Sequence, residues 1–169
     1  TYIRKMGIRL ELGKGVSTIA DDGTKLTLTL SDGSSIETDM LIMAVGVSPD
    51  TKLAKEAGIG VNAKGTIITD SHMMTSIPDV YAVGDDAEVA DSVTGGRTYI
   101  ALAGPANREG RVAADAICGI QSAYPGSQGS SILKIFDMTV ASTGMNEKMA
   151  KKLGVDYDVA ITWSAEHAS

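Results

Sequence analysis

The amino-acid sequence predicts an α/β chain, α+β when taken by itself, and three observations predict it. Lys25-Leu26-Thr27-Leu28-Thr29-Leu30 alternates polar and apolar, the pattern of a half-buried antiparallel strand. Met40–Val45 and Val80–Val83 are unbroken apolar runs, as expected of strands covered on both faces, and they stop at Gly46 and Gly84. A helix is expected between Pro105, suited to a first turn because its missing N–H costs nothing there, and Gly119, suited to a carboxyl cap.

In chain order, residues 1–38 read as a β-meander. Ile8–Leu12 and Val16–Ile19 are expected as short strands, and Ser35–Thr38 as a return arm. Asp22-Gly23 and Ser31-Asp32-Gly33-Ser34 carry turn chemistry between them. After Gly46, Ser48-Pro49-Asp50 is a strand-stop and helix-start signal. It predicts a short helix over Lys52–Ala57, closed by Gly58, with Ile67-Ile68-Thr69 as a brief strand. Residues 87–97 read as a loop, loosest at Gly95-Gly96. On the following helix Ala106, Gly110, Ala113 and Ile117 share one face, mostly small enough for close approach to a neighbouring backbone. Residues 122–131, SAYPGSQGSS, are rich in Ser, Gly and Pro and read as a linker. Beyond them Leu133–Met138 is expected as a strand. Asn146 should cap a helix from Glu147 to Leu153 that Gly154 ends, and Tyr157–Trp163 alternates as a last strand.

Charge and composition narrow the function. The formal net charge is −6, which argues against nucleic acid as a partner. The longest uncharged stretch, Met40–Pro49, is too short to cross a bilayer, so no membrane is expected. Cys118 is the one cysteine, so no internal disulfide forms and a reducing, cytoplasmic setting is the expectation. It sits near a helix carboxyl end, where the dipole disfavours a thiolate, and is read as structural. The chain starts at Thr1 with an apolar pattern already running by Ile3, and stops at Ser169 without a closing signal. A piece of something longer is expected.

Gly84-Asp85 is the first candidate for chemistry. In open α/β sheets ligands bind beyond the carboxyl ends of strands. A glycine there admits a ligand close to the backbone, and an aspartate accepts hydrogen bonds from hydroxyl groups. An ordinary turn with an exposed aspartate is the other reading of the same two residues. Gly46 repeats the strand-then-glycine pattern. The helix after residue 104 adds a third piece, because its amino end carries unpaired N–H groups and favours negative charge. Together the pieces suit a large cofactor of mixed polarity. His72 and His167 lack companions at metal-ligand spacing, and Asp85-Asp86 is not followed by a regular set of oxygen ligands. No metal is expected, and His72 is read as a surface or packing residue.

TSIPDVYAVGDD, followed by YIALAGPANREGRVAADAICG, resembles the second flavin-binding segment of the pyridine nucleotide-disulfide oxidoreductases. LIMAVGVSPDTKLAKEAGI is similar to the strand and turn leading out of that family's NAD(P)H domain. KIFDMTVASTGMNEKMAKKLG is similar to the start of its dimerisation domain. The NADH oxidase, NADH peroxidase and coenzyme A-disulfide reductase branch is the nearest. The resemblance implies FAD and NAD(P)H as cofactors and no catalytic residue within this chain. It implies that Asp85 bonds the ribityl chain and Gly84 lets the flavin approach. Leu102 and Ala103 would bring backbone amides to the pyrimidine edge, Tyr99 would line the pocket, and Gly46 would lie near nicotinamide and flavin. The Gly104-Pro105 pair departs from the family pattern. His167 is similar to a histidine of the coenzyme A-disulfide reductase branch, and Trp163 is expected to pack in the dimerisation domain.

The implied organisation is the end of an NAD(P)H-binding domain over 1–45, the second FAD segment over 46–121, a linker over 122–131, and the start of a dimerisation domain over 132–169. A homodimer is implied, with a small-molecule disulfide, a peroxide or oxygen as acceptor. The sequence has no GxGxxG turn, and the family places its redox cysteine elsewhere. The alternative is therefore an isolated non-catalytic module that serves folding or dimerisation without a bound cofactor.

Overall fold

The computed structural model describes residues 2–163. Two compact units divide the chain, one ending at Val47 and the other starting at Ser48.

The first unit is the expected meander. Strands β1 (Val16–Asp21), β2 (Leu26–Leu30) and β3 (Ser35–Thr38) form an antiparallel sheet in that order. Leu28 and Leu30, on the central strand, are its buried side chains, so the alternating pattern points one face inward. Both turns are tied by aspartates. Asp22 accepts the N–H groups of Thr24 and Lys25 at 2.8 Å each, and Asp32 accepts the Ser34 N–H at 3.0 Å. Two expectations fail. Tyr2–Lys5 is a short helix, α1, and residues 8–12 form no strand. The charges of that segment close locally instead: Arg9 pairs with Glu11 at 2.8 Å, and Lys14 joins Glu11 to Asp32.

Met40–Val45 is not a strand either. Ile42 is 79% exposed and Val45 83% exposed. A doubly covered strand needs a strand on each side and a layer over each face. Among the described residues no strand pairs with this run, because the small sheet ends at β3.

In the second unit, α2 (Lys52–Glu56) ends with Gly58 at φ 77°, as expected of a glycine past a helix end. Strand β4 (Ile67–Ile68) runs parallel to β5 (Ala87–Ala90), and β5 runs antiparallel to β6 (Arg97–Thr98). Residues 87–97 are therefore a hairpin rather than a loop. Ala87 and Val89 point into the core, while Asp91 turns the chain by accepting the N–H groups of Val93 and Thr94. Val80–Val83 was expected as a buried strand but contributes only a bridge from Tyr81 to Met74. Asp79 at φ 64° and Gly84 at φ 80° cut these residues out of an extended ladder on both sides.

Helix α3 (Ala103–Ile117) closes with Gly119 at φ 72°. Its buried face is Glu109, Val112 and Ala113. The expected face ran on to Ile117, which is 65% exposed, and the last buried core residue of the helix is Ala113. The core joins Val112 and Ala113 to Met73, Ala87, Val89 and Tyr124. Tyr124 lies in the stretch expected as a linker. That stretch is pinned down instead: the Tyr124 N–H donates to Ser71 O at 2.7 Å and the Ser127 N–H to Ala90 O at 3.0 Å.

Strands β7 (Ser131–Ile135) and β8 (Met138–Ser142) form a hairpin where one strand was expected. The reversal is at Phe136-Asp137, with Phe136 at φ 53°, a turn without the usual glycine. Helix α4 (Glu147–Leu153) is capped as expected: Asn146 Oδ1 accepts the Met149 N–H at 2.9 Å, and Gly154 is left-handed. Tyr157–Trp163 forms no strand, and Trp163 is 94% exposed rather than packed. No strand edge among the described residues receives that segment. His167 lies outside the described residues.

Candidate functional site

The chain leaves Val83 in an extended conformation and tightens into a single 3₁₀ turn at Gly84–Asp86 before entering β5. Gly84 has φ 80°. A Cβ there would stand 3.7 Å from the Cβ of Ala106, an ordinary contact. The glycine is thus required by its backbone angle rather than by space. Its N–H donates to Glu109 Oε2 at 2.7 Å, which fastens the turn to α3. Asp85 is exposed, with its carboxylate on the outside of this fastened turn. Asp86 points the other way in function, its Oδ1 accepting the Asp50 N–H at 3.2 Å.

Glu109 is the residue that sequence reading missed. Only 1% of it is exposed. Burial pushes its carboxyl up from the ordinary 4.5, the Asp85 charge adds to that, and the Gly84 N–H opposes it. The signal was present in GPANREGRVAAD. Glu109 lies three residues after Ala106 and four before Ala113, a charged side chain on an otherwise small-residue face.

The amino end of α3 is open. Leu102 is extended at φ −135° and ψ 139°, and no side chain caps the helix. The Leu102 N–H is taken by Ile100 O at 3.0 Å, and the Ala106 N–H by Leu102 O at 3.2 Å. Pro105 has no N–H. The amides of exposed Ala103 and Gly104 are left to carry the helix's positive end. Ala103 stands one helical turn before Ala106, the residue facing Gly84, so the turn and the helix start belong to one locality.

Tyr99 follows β6, and its hydroxyl is buried without a hydrogen-bond partner among the described residues. It lines a cavity of about 240 Å³ together with Asp91, Gln128 and Asn146. A buried hydroxyl in that state is unfavourable unless something polar meets it. Gly46 belongs to the other unit, at φ 91° in an irregular stretch. The structure therefore brings Gly84, Asp85, Leu102 and Ala103 around one helix, with Tyr99 just upstream of it in the chain.

The remaining candidates are plain. Cys118 is an exposed thiol at the α3 carboxyl cap. His72 is exposed, with Nδ1 2.6 Å from Ser122 O. Among the described residues no group of three His, Cys, Asp or Glu could hold a metal ion. No helix among them is long and apolar enough to cross a membrane.

Chemically, an outward carboxylate beside a glycine accepts hydroxyl hydrogens, an uncapped helix start donates to negative charge, and an orphaned phenol awaits a polar partner. Such a set of donors and acceptors suits a ligand that carries both hydroxyl groups and negative charge.

Comparison with known proteins identifies the family. The chain is 36% identical over 157 residues to the CoA-dependent NAD(P)H sulfur oxidoreductase of Pyrococcus furiosus, covering 92% of this chain and 36% of that protein. It superposes on the reduced Bacillus anthracis CoADR-RHD with a TM-score of 0.87 and 44% identity, covering 93% of this chain and 28% of that one. It superposes on the water-forming NADH oxidase of Lactobacillus brevis bound to NADH with a TM-score of 0.86 and 36% identity, covering 91% and 34%. The chain thus spans about a third of the length of these relatives. Residues 1–110 match the family described as pyridine nucleotide-disulphide oxidoreductase, and the chain belongs to that family.

Proposed function

We propose that this chain is the carboxyl-side part of an FAD-dependent NAD(P)H oxidoreductase. The observation that carries the reading is the Gly84–Asp86 turn, clamped to α3 through the Gly84 N–H and Glu109 with Asp85 facing outward. Asp85 accepts hydrogen bonds from the ribityl hydroxyls. Gly84 offers no side chain to obstruct the cofactor. The Ala103 amide and the positive end of α3 hold negative charge at the pyrimidine edge, with Leu102 setting the helix entry. Tyr99 supplies a hydroxyl that has no partner among the described residues. Gly46, in the first unit, matches by family resemblance a position near nicotinamide and flavin. FAD, when bound, supplies hydride transfer from a reduced nicotinamide toward a cysteine centre that reduces a disulfide, a peroxide or oxygen. That cysteine lies outside this chain, since Cys118 caps a helix carboxyl end and is exposed. In the whole protein the β7–β8 hairpin and α4 begin a dimerisation domain, and two copies pair.

A second reading applies to the 169-residue chain taken alone: a non-catalytic module that binds no cofactor. The exposed apolar run Met40–Val45 favours it, because a segment that reads as a doubly covered strand is unformed. Visible absorbance separates the two. The intact protein should purify yellow with a flavin band, and the 169-residue chain should be colourless. An intact protein that neither carries nor takes up flavin defeats the first reading. A 169-residue chain that retains FAD through gel filtration defeats the second.

A further inference from the structure

We propose that Glu109 is a positioning residue whose buried carboxylate holds the Gly84 amide and so fixes where Asp85 presents its own carboxylate. The inference rests on the flavin reading above and adds a residue that does not itself touch the ligand.

Glu109 is the one charged side chain among the buried described residues. No lysine, arginine or histidine pairs with it among them. Its neighbours on the helix face, Val112 and Ala113, are apolar core residues. A leucine would pack in such a place without desolvating a charge, so a carboxylate there needs a reason other than volume. The Gly84 N–H at 2.7 Å is that reason. It opens the 84–86 turn, which receives no side-chain cap from Val83, so Glu109 caps it from α3. Gly84 at φ 80° sits in a region glycine enters freely and also leaves freely. Asp86 Oδ1 ties the far end of the turn to the Asp50 N–H, but Glu109 is the acceptor of the Gly84 amide, and Asp85, the next residue, moves with that amide. The two carboxylates divide the work: Glu109 is inside and orients, while Asp85 is outside and accepts from the ligand.

The test is FAD titration of the intact apoprotein by flavin fluorescence quenching, with the melting temperature of each apoprotein measured alongside. Glu109→Gln keeps an oxygen acceptor, and its FAD dissociation constant should stay within about threefold of wild type. Glu109→Leu keeps the volume and removes the acceptor, and its affinity should fall about ten- to a hundredfold, the worth of a hydrogen bond to a charged group. Rescue by Gln but not Leu is the signature that a space-filling role would not produce. Equal affinity in Glu109→Leu and wild type overturns the inference while leaving the flavin reading intact. Should Glu109→Leu not fold, the Gly84 amide resonance of ¹⁵N-glycine-labelled protein decides. Glu109→Gln must move it upfield, and an unmoved signal overturns the contact. A wild-type protein that takes up no FAD brings down the flavin reading and this inference with it.

Discussion

Asp22 and Glu109 are carboxylates that the fold pushes in opposite directions. Asp22 is exposed, and the Thr24 hydroxyl, the Lys25 N–H and the Thr24 N–H donate to it, lowering its pKa from 3.8 to about 2. Its ionised form is therefore favoured by folding. That contribution is complete above pH 3.8 and is lost as pH falls toward about 2. Glu109 is buried, with Asp85 and Tyr124 as its charged or titratable surroundings, and burial raises its pKa above 4.5. The folded state binds that proton more tightly than the unfolded state does. Stability from this group is thus full below pH 4.5 and declines as pH rises through the folded pKa. Urea midpoints measured against pH should show both slopes. Asp22→Ala should flatten only the acidic one, and Glu109→Gln only the one above 4.5. At Gly84 the positive φ predicts that Gly84→Ala destabilises the protein by about 1 kcal/mol, since a Cβ meets no hard obstacle there. The turn at Gly84-Asp85 was legible in the sequence, because a glycine and a carboxylate close an apolar run there. The charge of Glu109 on a small-residue face was visible too, but its partner was not, being a backbone amide twenty-five residues earlier.

The elements that could be read in advance are those whose ends carry their own signals. Pro105 and Gly119 bracket α3, and Asn146 and Gly154 bracket α4, and each does locally what its chemistry requires. Elements that depend on partners could not be read this way. The run at Met40–Val45 and the alternation at Tyr157–Trp163 are strands by pattern, yet no neighbouring strand among the described residues receives them. The hairpin at Phe136-Asp137 was missed for a different reason, as its turn uses positive φ at a phenylalanine. Residues 122–131 read as a linker by composition, but composition says nothing of Tyr124 in the core. The same stretch supplies a sharp test of packing. A Cβ on Gly126 would lie 2.5 Å from Ala90 O, in the middle of the sheet's backbone, and Gly126 is at φ 92°. Gly126→Ala should therefore destabilise by more than about 2 kcal/mol, exceeding Gly84→Ala, in the same urea titration.

For the whole molecule, the family was legible because three motifs follow one another in family order along one chain, and their spacing survives where single strands do not. The structure adds to this the mechanical link between α3 and the Gly84–Asp86 turn, through which a core helix holds a surface carboxylate. The central claim is that Asp85 grips the hydroxylated chain of a flavin. Equilibrium titration of the intact apoprotein with FAD, wild type against Asp85→Ala, tests it most directly. The account predicts tight uptake by wild type and affinity weakened about tenfold or more in the variant, at unchanged melting temperature. Equal affinity in both proteins would contradict it.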